Sequence, residues 1–583
     1  MEKTGFFKKY LAVMMIAVMS ITLLPSGEVY AKTAKNAAKM QKKTVTWYEG
    51  SMEDERKISI YYSKGSDIPY ISLSEQVKLV DEWIKQTSPK DKVISKTKGN
   101  KTTWTRKAGQ LRFKAVFDSE KNTVYFDDLN GFFRFSGASL VGAEYSHELS
   151  ELFSPGECNY NRYGRSVTID LSEYGIRLVK SGKEIYLPLQ TFSDVILSMF
   201  GNFALYNGDC VITLGTTSIP LDLGKKYFEK YDPSGTEMSE EYALFNYNEL
   251  CLAFDFLYGL KETHNISSFD EFFKETGLEA LLKSRDSASV DLALTGAINM
   301  FFDDLHCNFS SISYRTSADK YTEGSKVLPQ GAFRKRTLDL NAELLAQRAV
   351  YFPEGFVPYQ EIGDTAYITF DTFMCDPDLD YSTIPTDDEL PNLGGNTLKL
   401  VQYAVSKITR KNSPVKRVVL DLTCNGGGMV CTACYLLSAF LGSSSISMKN
   451  MQTGAMSNAD IKADVNLDGK FDEKDTLAGR GLKLYCLISG YSYSCANMVP
   501  SMFKNTGKVT LIGRTSGGGS CCVQPMSTAS GAILQVSGNR RFSFSKNGAM
   551  YDCDRGAEPD VFVDDMSKLY DREYVNRLLD GLN

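Results

Sequence analysis

Leu484-Tyr485-Cys486-Leu487-Ile488-Ser489-Gly490-Tyr491-Ser492-Tyr493-Ser494-Cys495-Ala496-Asn497-Met498-Val499-Pro500 decides how the rest of the chain is read. An apolar run of strand length meets a Gly/Ser/Tyr turn, and apolar residues at helical spacing follow from Ala496 to Phe503. The stretch therefore reads as a strand, a sharp loop and a helix start. Ser494 stands at the joint, where its hydroxyl projects from the sheet edge and the Cys495 amide points from the positive end of the helix toward any anion forming beside it. That placement suits an acyl-transfer nucleophile. A serine at a helix start also serves simply as a cap, and the segment alone leaves both readings open.

Working outward, the same alternation recurs. Thr365 to Phe370 reads as a strand and Thr397 to Thr409 as an amphipathic helix; Val415 to Thr423 is a buried strand and Met429 to Leu441 a helix. Alternating helices and apolar strands imply an α/β sheet covered on both faces, here over residues 355–583. Between the second strand and its helix lies Cys424-Asn425-Gly426-Gly427-Gly428, which leaves amides exposed with no side chain in the way. Such a turn suits a phosphate or an oxyanion. The lysine and hydroxyl residue of a P-loop are missing, which weakens the phosphate reading.

Upstream, residues 240–330 change to helical spacing, with helices expected over 245–258, 269–283 and 290–305. His306, one of three histidines, follows the last of these; a histidine there is either a packed or capping residue or a catalytic base. Residues 40–225 are rich in short alternating runs and Gly/Asn/Asp turns, which predicts a β-rich module. Within it, segments 67–74 and 183–190 resemble each other and suggest a duplication. The expected fold class is thus α+β and multidomain: a β-rich N-terminal module, a helical segment carrying His306, and a C-terminal α/β core.

The N-terminus has Lys3, Lys8 and Lys9 before an apolar run from Leu11 to Leu24 and small residues up to Ala31. This pattern predicts a secretory signal peptide over residues 1–31, so the mature chain is expected to be exported and to have no membrane segment. The 583-residue chain is 43% hydrophobic and 23% charged with a net charge of −6, and it has no basic run, so no nucleic-acid partner is expected. Its thirteen cysteines are odd in number and follow no framework spacing. Many lie inside apolar runs, where buried free thiols are expected. Cys431 and Cys434 form a CxxC with no second pair, which argues against zinc.

A separate signal lies at 464–475. Asp464, Asn466, Asp468, Asp472 and Asp475 place oxygen side chains at positions one, three, five, nine and twelve of an EF-hand-type loop, with Gly469 at the sharp turn and the Lys470 carbonyl at position seven. The spacing predicts a structural Ca²⁺ site in an insertion spanning 460–478, and none is expected for catalysis. It is similar to one half of a dockerin repeat; with a single copy, cohesin docking is not expected.

Three motifs now stand in order: Asp304-Leu305-His306, then Val418-Val419-Leu420-Asp421-Leu422-Thr423-Cys424-Asn425-Gly426-Gly427-Gly428, then Ser494-Cys495-Ala496-Asn497 with Leu511-Ile512-Gly513-Arg514-Thr515-Ser516-Gly517-Gly518 downstream. This order resembles the serine peptidases of the C-terminal-processing (tail-specific) class, with the tricorn core peptidase and the interphotoreceptor retinoid-binding repeats of the same fold. The likeness covers Tyr242 to the C-terminus. It implies a ClpP/crotonase-like core, a peptide or protein substrate, and Ser494 as nucleophile. The tail-specific branch takes its base from a lysine downstream, where this chain has Gly519, and no lysine occurs between Lys508 and Lys546. The tricorn-like branch uses an upstream histidine, matched by His306, and an acid near the C-terminus, for which Asp554 is preferred, Asp552 second and Glu558 third. Amides of Cys495 and of Gly426 or Gly427 would form the oxyanion hole. No PDZ domain is recognisable. The resemblance also leaves an alternative, a non-catalytic protein binding an apolar ligand or peptide on the same scaffold.

Overall fold

The computed structural model describes residues 39–133, 147–154, 157–547 and 549–582. The expected signal peptide lies outside them. The protein is α+β and its described residues fall into two compact units, one within 39–133, 164–332 and 523–539, the other within 147–163, 333–522 and 540–582. Among the described residues no helix is long and apolar enough to cross a membrane. Of the cysteines with described side chains, all but Cys522 are buried.

In the first unit a seven-stranded sheet and a five-stranded sheet occupy residues 41–214. The two look-alike segments meet within the larger sheet: Tyr70–Ser72 pairs antiparallel with Glu184–Pro188, Ile71 opposite Leu187. Each leads straight into a helix, Leu73–Thr87 and Leu189–Val195. Helices follow from Glu240–Leu257, capped by the Ser239 hydroxyl on the Tyr242 amide. The helix expected over 269–283 is two, Phe269–Glu275 and Glu279–Leu282, because Gly277 between them takes φ +72°, outside helical space. The next begins at Ser287, capped by Asp286, and ends in a π-helical turn, Ala297–Phe302. Phe254, Phe269, Phe273 and Phe302 cluster at its core.

The second unit is organised by a six-stranded sheet whose strands run Tyr359–Ile362, Thr365–Thr369, Arg417–Asp421, Lys483–Ile488, Val509–Gly513 and Val561–Phe562, in that spatial order. The last five are mutually parallel. Because spatial order follows chain order, right-handed crossovers put all the connecting helices on one face. Residues alternate accordingly. Ile368, Val418, Leu420, Cys486, Ile488 and Leu511 pack with the helices Thr397–Ile408, Val430–Leu441 and Cys495–Thr506. Tyr367, Val419, Tyr485, Leu487 and Ile512 face the other way, onto Leu344 of helix Ala332–Tyr351 and onto Val575 and Leu579 of helix Arg572–Gly581. Each buried aliphatic side chain contributes about 1.5–3 kcal/mol, so burial on both faces makes the sheet a stiff platform for the loops at its carboxyl edge.

Candidate active site

The strand Lys483–Ile488 leaves the sheet through Ser489-Gly490-Tyr491-Ser492-Tyr493 and enters helix Cys495–Thr506 at Ser494. The turn is held from three sides: the Ser489 hydroxyl donates to the Thr423 carbonyl at 2.6 Å, that of Ser492 to the Leu422 carbonyl at 2.7 Å, and the Ser494 amide to the Gly518 carbonyl at 2.9 Å. Ser494 itself has φ +57° and ψ −121°. A non-glycine residue there carries about 1–3 kcal/mol of strain. Its side chain makes no cap hydrogen bond to the helix that it begins, and it is half exposed. Strained backbone and an uncommitted hydroxyl at a strand-to-helix turn are the features of a nucleophile elbow.

The glycine loop after strand Arg417–Asp421 lies against this elbow. A Cβ on Gly427 would stand 2.5 Å from Ser494 Cβ and 3.1 Å from the Cys495 amide nitrogen, and Gly427 has φ +105°. Asn425 shapes the loop: its Oδ1 accepts the Gly427 amide at 2.9 Å and its Nδ2 donates to the Phe370 carbonyl at 2.9 Å. Of the two glycine amides expected to hold an oxyanion, that of Gly427 is thus engaged by Asn425. Gly426 packs beside the Tyr491 hydroxyl, 3.0 Å from where its Cβ would be. The Cys495 thiol lies 3.1 Å from the Gly428 carbonyl.

The segment carrying the candidate acids closes the same neighbourhood. Asp554 Oδ1 accepts the Ser520 amide at 2.6 Å, and its Oδ2 is 3.0 Å from the Arg541 guanidinium. Asp552 is exposed, accepts the Asp554 amide at 3.1 Å and lies 3.8 Å from Arg541. Glu558 is exposed. Asn497, fourth in the serine motif, ties the pieces together: its Nδ2 donates to the Cys553 carbonyl at 2.9 Å and its Oδ1 accepts the Ser516 hydroxyl at 2.7 Å.

In the first unit, His306 sits in a tight turn after the π-helical segment and Asp303, whose φ is +44°. The Asp304 carboxylate accepts the His306 amide at 2.8 Å and the Ser537 hydroxyl, and Gln535 Nε2 donates to the His306 carbonyl at 2.9 Å. His306 is buried. These bonds fix its backbone on both sides of the peptide unit.

Residues 364–563 match peptidase family S41. The matched stretch holds the glycine loop, the serine elbow and Asp554, and that family is one of serine-type peptidases. Structures similar to this chain include the photosystem II D1 C-terminal processing protease, 19% identical over 37% of this chain and 46% of that one with a TM-score of 0.27. A lipoprotein from Streptococcus agalactiae is 14% identical over 59% of this chain and 98% of that one, with a TM-score of 0.33. Mature CPAF complexed with lactacystin is 13% identical over 58% and 97%, with a TM-score of 0.34. The chain spans less than half the length of the D1 processing protease. No curated protein matches it significantly.

Gly519, where this chain has no lysine, is closely packed. It has φ +87°, and a Cβ there would lie 2.5 Å from the Tyr493 ring, so no longer side chain fits. Asn425, Asn497 and Gly518 are positioning residues that motif reading passed over. All three lie inside the quoted motifs, and only their polar or glycine character beside the reacting groups marked them.

The 464–475 loop is wound on its own amides. Asp475 Oδ1 accepts from Val465 at 2.8 Å and Asn466 at 3.1 Å, Asp464 Oδ2 from Gly469 at 2.8 Å, and Asp468 Oδ1 from Lys470 at 3.1 Å. Gly469 makes the sharp turn at φ +75°. Asp464 and Asp475 are buried; burial, with the Asp464 charge adding to it, raises the Asp475 carboxyl above its usual range against the pull of its backbone hydrogen bonds. Oxygen-only donors and crowded carboxylates suit a hard cation chemically. Among the described residues no group of three or more His, Cys, Asp or Glu side chains is gathered to hold a metal, so the fit rests on donor chemistry alone.

Proposed function

We propose that this protein is an exported serine endopeptidase acting through a Ser/His/acid triad, with Ser494 as nucleophile, His306 as base and Asp554, or else Asp552, as the acid. The observation that carries this reading is the Ser494 hydroxyl: it stands on strained backbone, leaves the helix uncapped and faces a loop where only glycine fits. In such a mechanism neutral His306 takes the Ser494 proton as the hydroxyl attacks a peptide carbonyl, and the acid orients the ring and stabilises the imidazolium. The Cys495 amide with Gly426 or Gly427 receives the oxyanion, at about 3 kcal/mol per donor. With Gly427 bonded to Asn425, Gly426 is the favoured second donor. Calcium, if bound by Asp464, Asn466, Asp468, the Lys470 carbonyl, Asp472 and Asp475, orders the loop that precedes the serine strand and takes no part in the chemistry.

The test is digestion of a peptide library by the mature protein beside Ser494→Ala and His306→Ala. Turnover that falls by at least a thousandfold in both, a magnitude typical of triad removal, supports the reading. Turnover that survives both substitutions overturns it. Export is checked by N-terminal sequencing of protein recovered from the medium, which should begin after Ala31.

A further inference from the structure

The second unit contains a cleft of about 490 Å³ between helix Ala332–Tyr351 and the carboxyl ends of strands Lys483–Ile488 and Val509–Gly513. Ser489 and Gly490, the first residues of the loop leading to Ser494, form part of its wall. Four residues separate Gly490 from Ser494, so the wall lies within roughly 14 Å of the nucleophile, the span of about four extended residues. An extended peptide spans that distance in about four residues.

The lining has a defined chemistry. Leu340, Leu344 and Met566 provide an apolar floor, and Leu340 Cδ2 stands 3.0 Å from where a Cβ on Gly490 would be. Phe562 lines it too, yet is 66% exposed. Its ring adds exposed apolar surface at the mouth of the cleft. Around the floor stand Glu343, Asp564 and Asp565. One cation is present, Arg514, and it is already committed: its guanidinium is 2.8 Å from Asp564 and lies over the Phe562 ring. Lys568 stands 4.0 Å from Asp565 outside the lining, so among the lining side chains three carboxylates face one guanidinium above a floor in which Leu344 and Met566 are buried.

We propose that this cleft is a remote subsite for the substrate, taking an apolar or aromatic side chain with a lysine or arginine beside it. The inference rests on the peptidase reading above and deepens it, since it assigns a substrate class to the same unit. An apolar pocket discriminates by burying the side chain, which is worth about 10- to 200-fold per well-filled position. The acidic rim adds preference for a cationic neighbour and disfavours an acidic one. Nothing in the cleft touches the reacting atoms, so its effect falls on binding and on kcat/KM for peptides long enough to reach it.

Two fluorescein-labelled peptides of equal length, one carrying Phe-Lys and one Ala-Glu at the position three or four residues from the cleaved bond, test the subsite directly by anisotropy on Ser494→Ala protein. The Phe-Lys peptide is expected to bind about tenfold more tightly, an advantage of the size one apolar side chain confers. Phe562→Ala should remove most of that advantage. The double variant Glu343→Lys/Asp564→Lys changes two surface positions and should reverse the preference between Lys and Glu beside the aromatic residue. Equal affinity for the two peptides, or a preference indifferent to both variants, overturns the proposal. Because binding is read on protein lacking Ser494, absence of turnover in the wild-type enzyme together with the expected preference would sink the peptidase reading and leave the subsite standing. Turnover lost in Ser494→Ala with flat binding would do the reverse. Gln347→Trp, which fills the cleft from the helix side, should abolish the preference without altering charge.

Discussion

Gly427→Ala is the sharpest perturbation of the proposed site. At φ +105° an alanine carries about 1–2 kcal/mol of backbone strain. Its Cβ would also stand 2.5 Å from Ser494 Cβ, 2.8 Å from the Tyr493 carbonyl oxygen and 3.1 Å from the Cys495 nitrogen, and relieving such overpacking costs about a further 1–3 kcal/mol. Every atom it meets belongs to the elbow, so relief moves the nucleophile or the oxyanion donor. A displacement of about 1 Å is worth on the order of 100-fold in rate. Gly442→Ala is the matched control: φ is +96°, and nothing lies within 4 Å of its Cβ, so strain alone should appear. The assay is urea unfolding of both variants with peptide turnover measured on the folded protein. Gly427→Ala should be less stable than the control by about 1–3 kcal/mol and lose turnover on the order of 100-fold, while Gly442→Ala keeps its turnover. If the two variants behave alike in both measurements, the glycine loop does not support the serine and the proposed oxyanion site is wrong.

Asp291 is buried, with its Oδ2 accepting the Ser313 amide at 2.9 Å and the Thr316 hydroxyl at 2.6 Å, and burial pushes its carboxyl up to about 7. The folded state therefore holds a proton that the unfolded chain releases near pH 4, and the stabilisation is complete below that pH and lost as pH rises through about 7, at about 1.4 kcal/mol per pH unit. Urea unfolding at pH 5 and pH 7 should show this slope flattened in Asp291→Asn; an unchanged slope means that the native carboxyl is ionised. Melting the mature protein in chelator and in millimolar calcium should give a higher midpoint with calcium, since a ligand that binds only the folded form stabilises it, and an identical midpoint removes the calcium proposal. Asp554→Ala strips the buried Arg541 of its 3.0 Å partner and should cost about 2 kcal/mol, against under about 0.5 kcal/mol for exposed Asp552. Turnover of the folded variants then tells which carboxylate serves the histidine: a strong loss is expected at one position only, and equal small losses would place the acid elsewhere.

The alternation of apolar strands with helices marked the α/β core in the sequence, because a sheet buried on both faces leaves near-continuous runs such as Val418 to Leu422 and Leu484 to Ile488. Two features of the elbow were not legible. The positive φ of Ser494 is not encoded in its own residue type; it accompanies bonds that tie its turn to the Leu422 and Thr423 carbonyls and to the Gly518 carbonyl, which lie in two other loops. Likewise the choice between a capping and a free hydroxyl depends on where the helix axis points, and tertiary packing sets that direction. The glycine loop could be read as an anion cradle, but the claim of Asn425 on the Gly427 amide could not, since Asn425 bonds its own loop two residues on, a local geometry that the pattern of glycines conceals. The break at Gly277 was visible in principle: an isolated glycine between two apolar-periodic stretches marks a helix end as readily as an interior position.

The sheet of the second unit has its strands in the order in which a ribosome delivers them, from Thr365–Thr369 through Arg417–Asp421 and Lys483–Ile488 to Val509–Gly513. Each new strand finds its partner already in place beside it, and the loop to be closed is only the crossover just synthesised. Closure entropy grows slowly with loop length but must be met before any contact forms, and short closures favour rapid assembly. The edge strand Val561–Phe562 comes last, after residues 514–560, which form no helix among the described residues. The sheet edge beside Val509–Gly513 therefore stays open until the chain is nearly finished. The segment proposed to carry the acid and the outer wall of the cleft arrive with that last strand, so the chain makes Ser494 well before the proposed acid is in place.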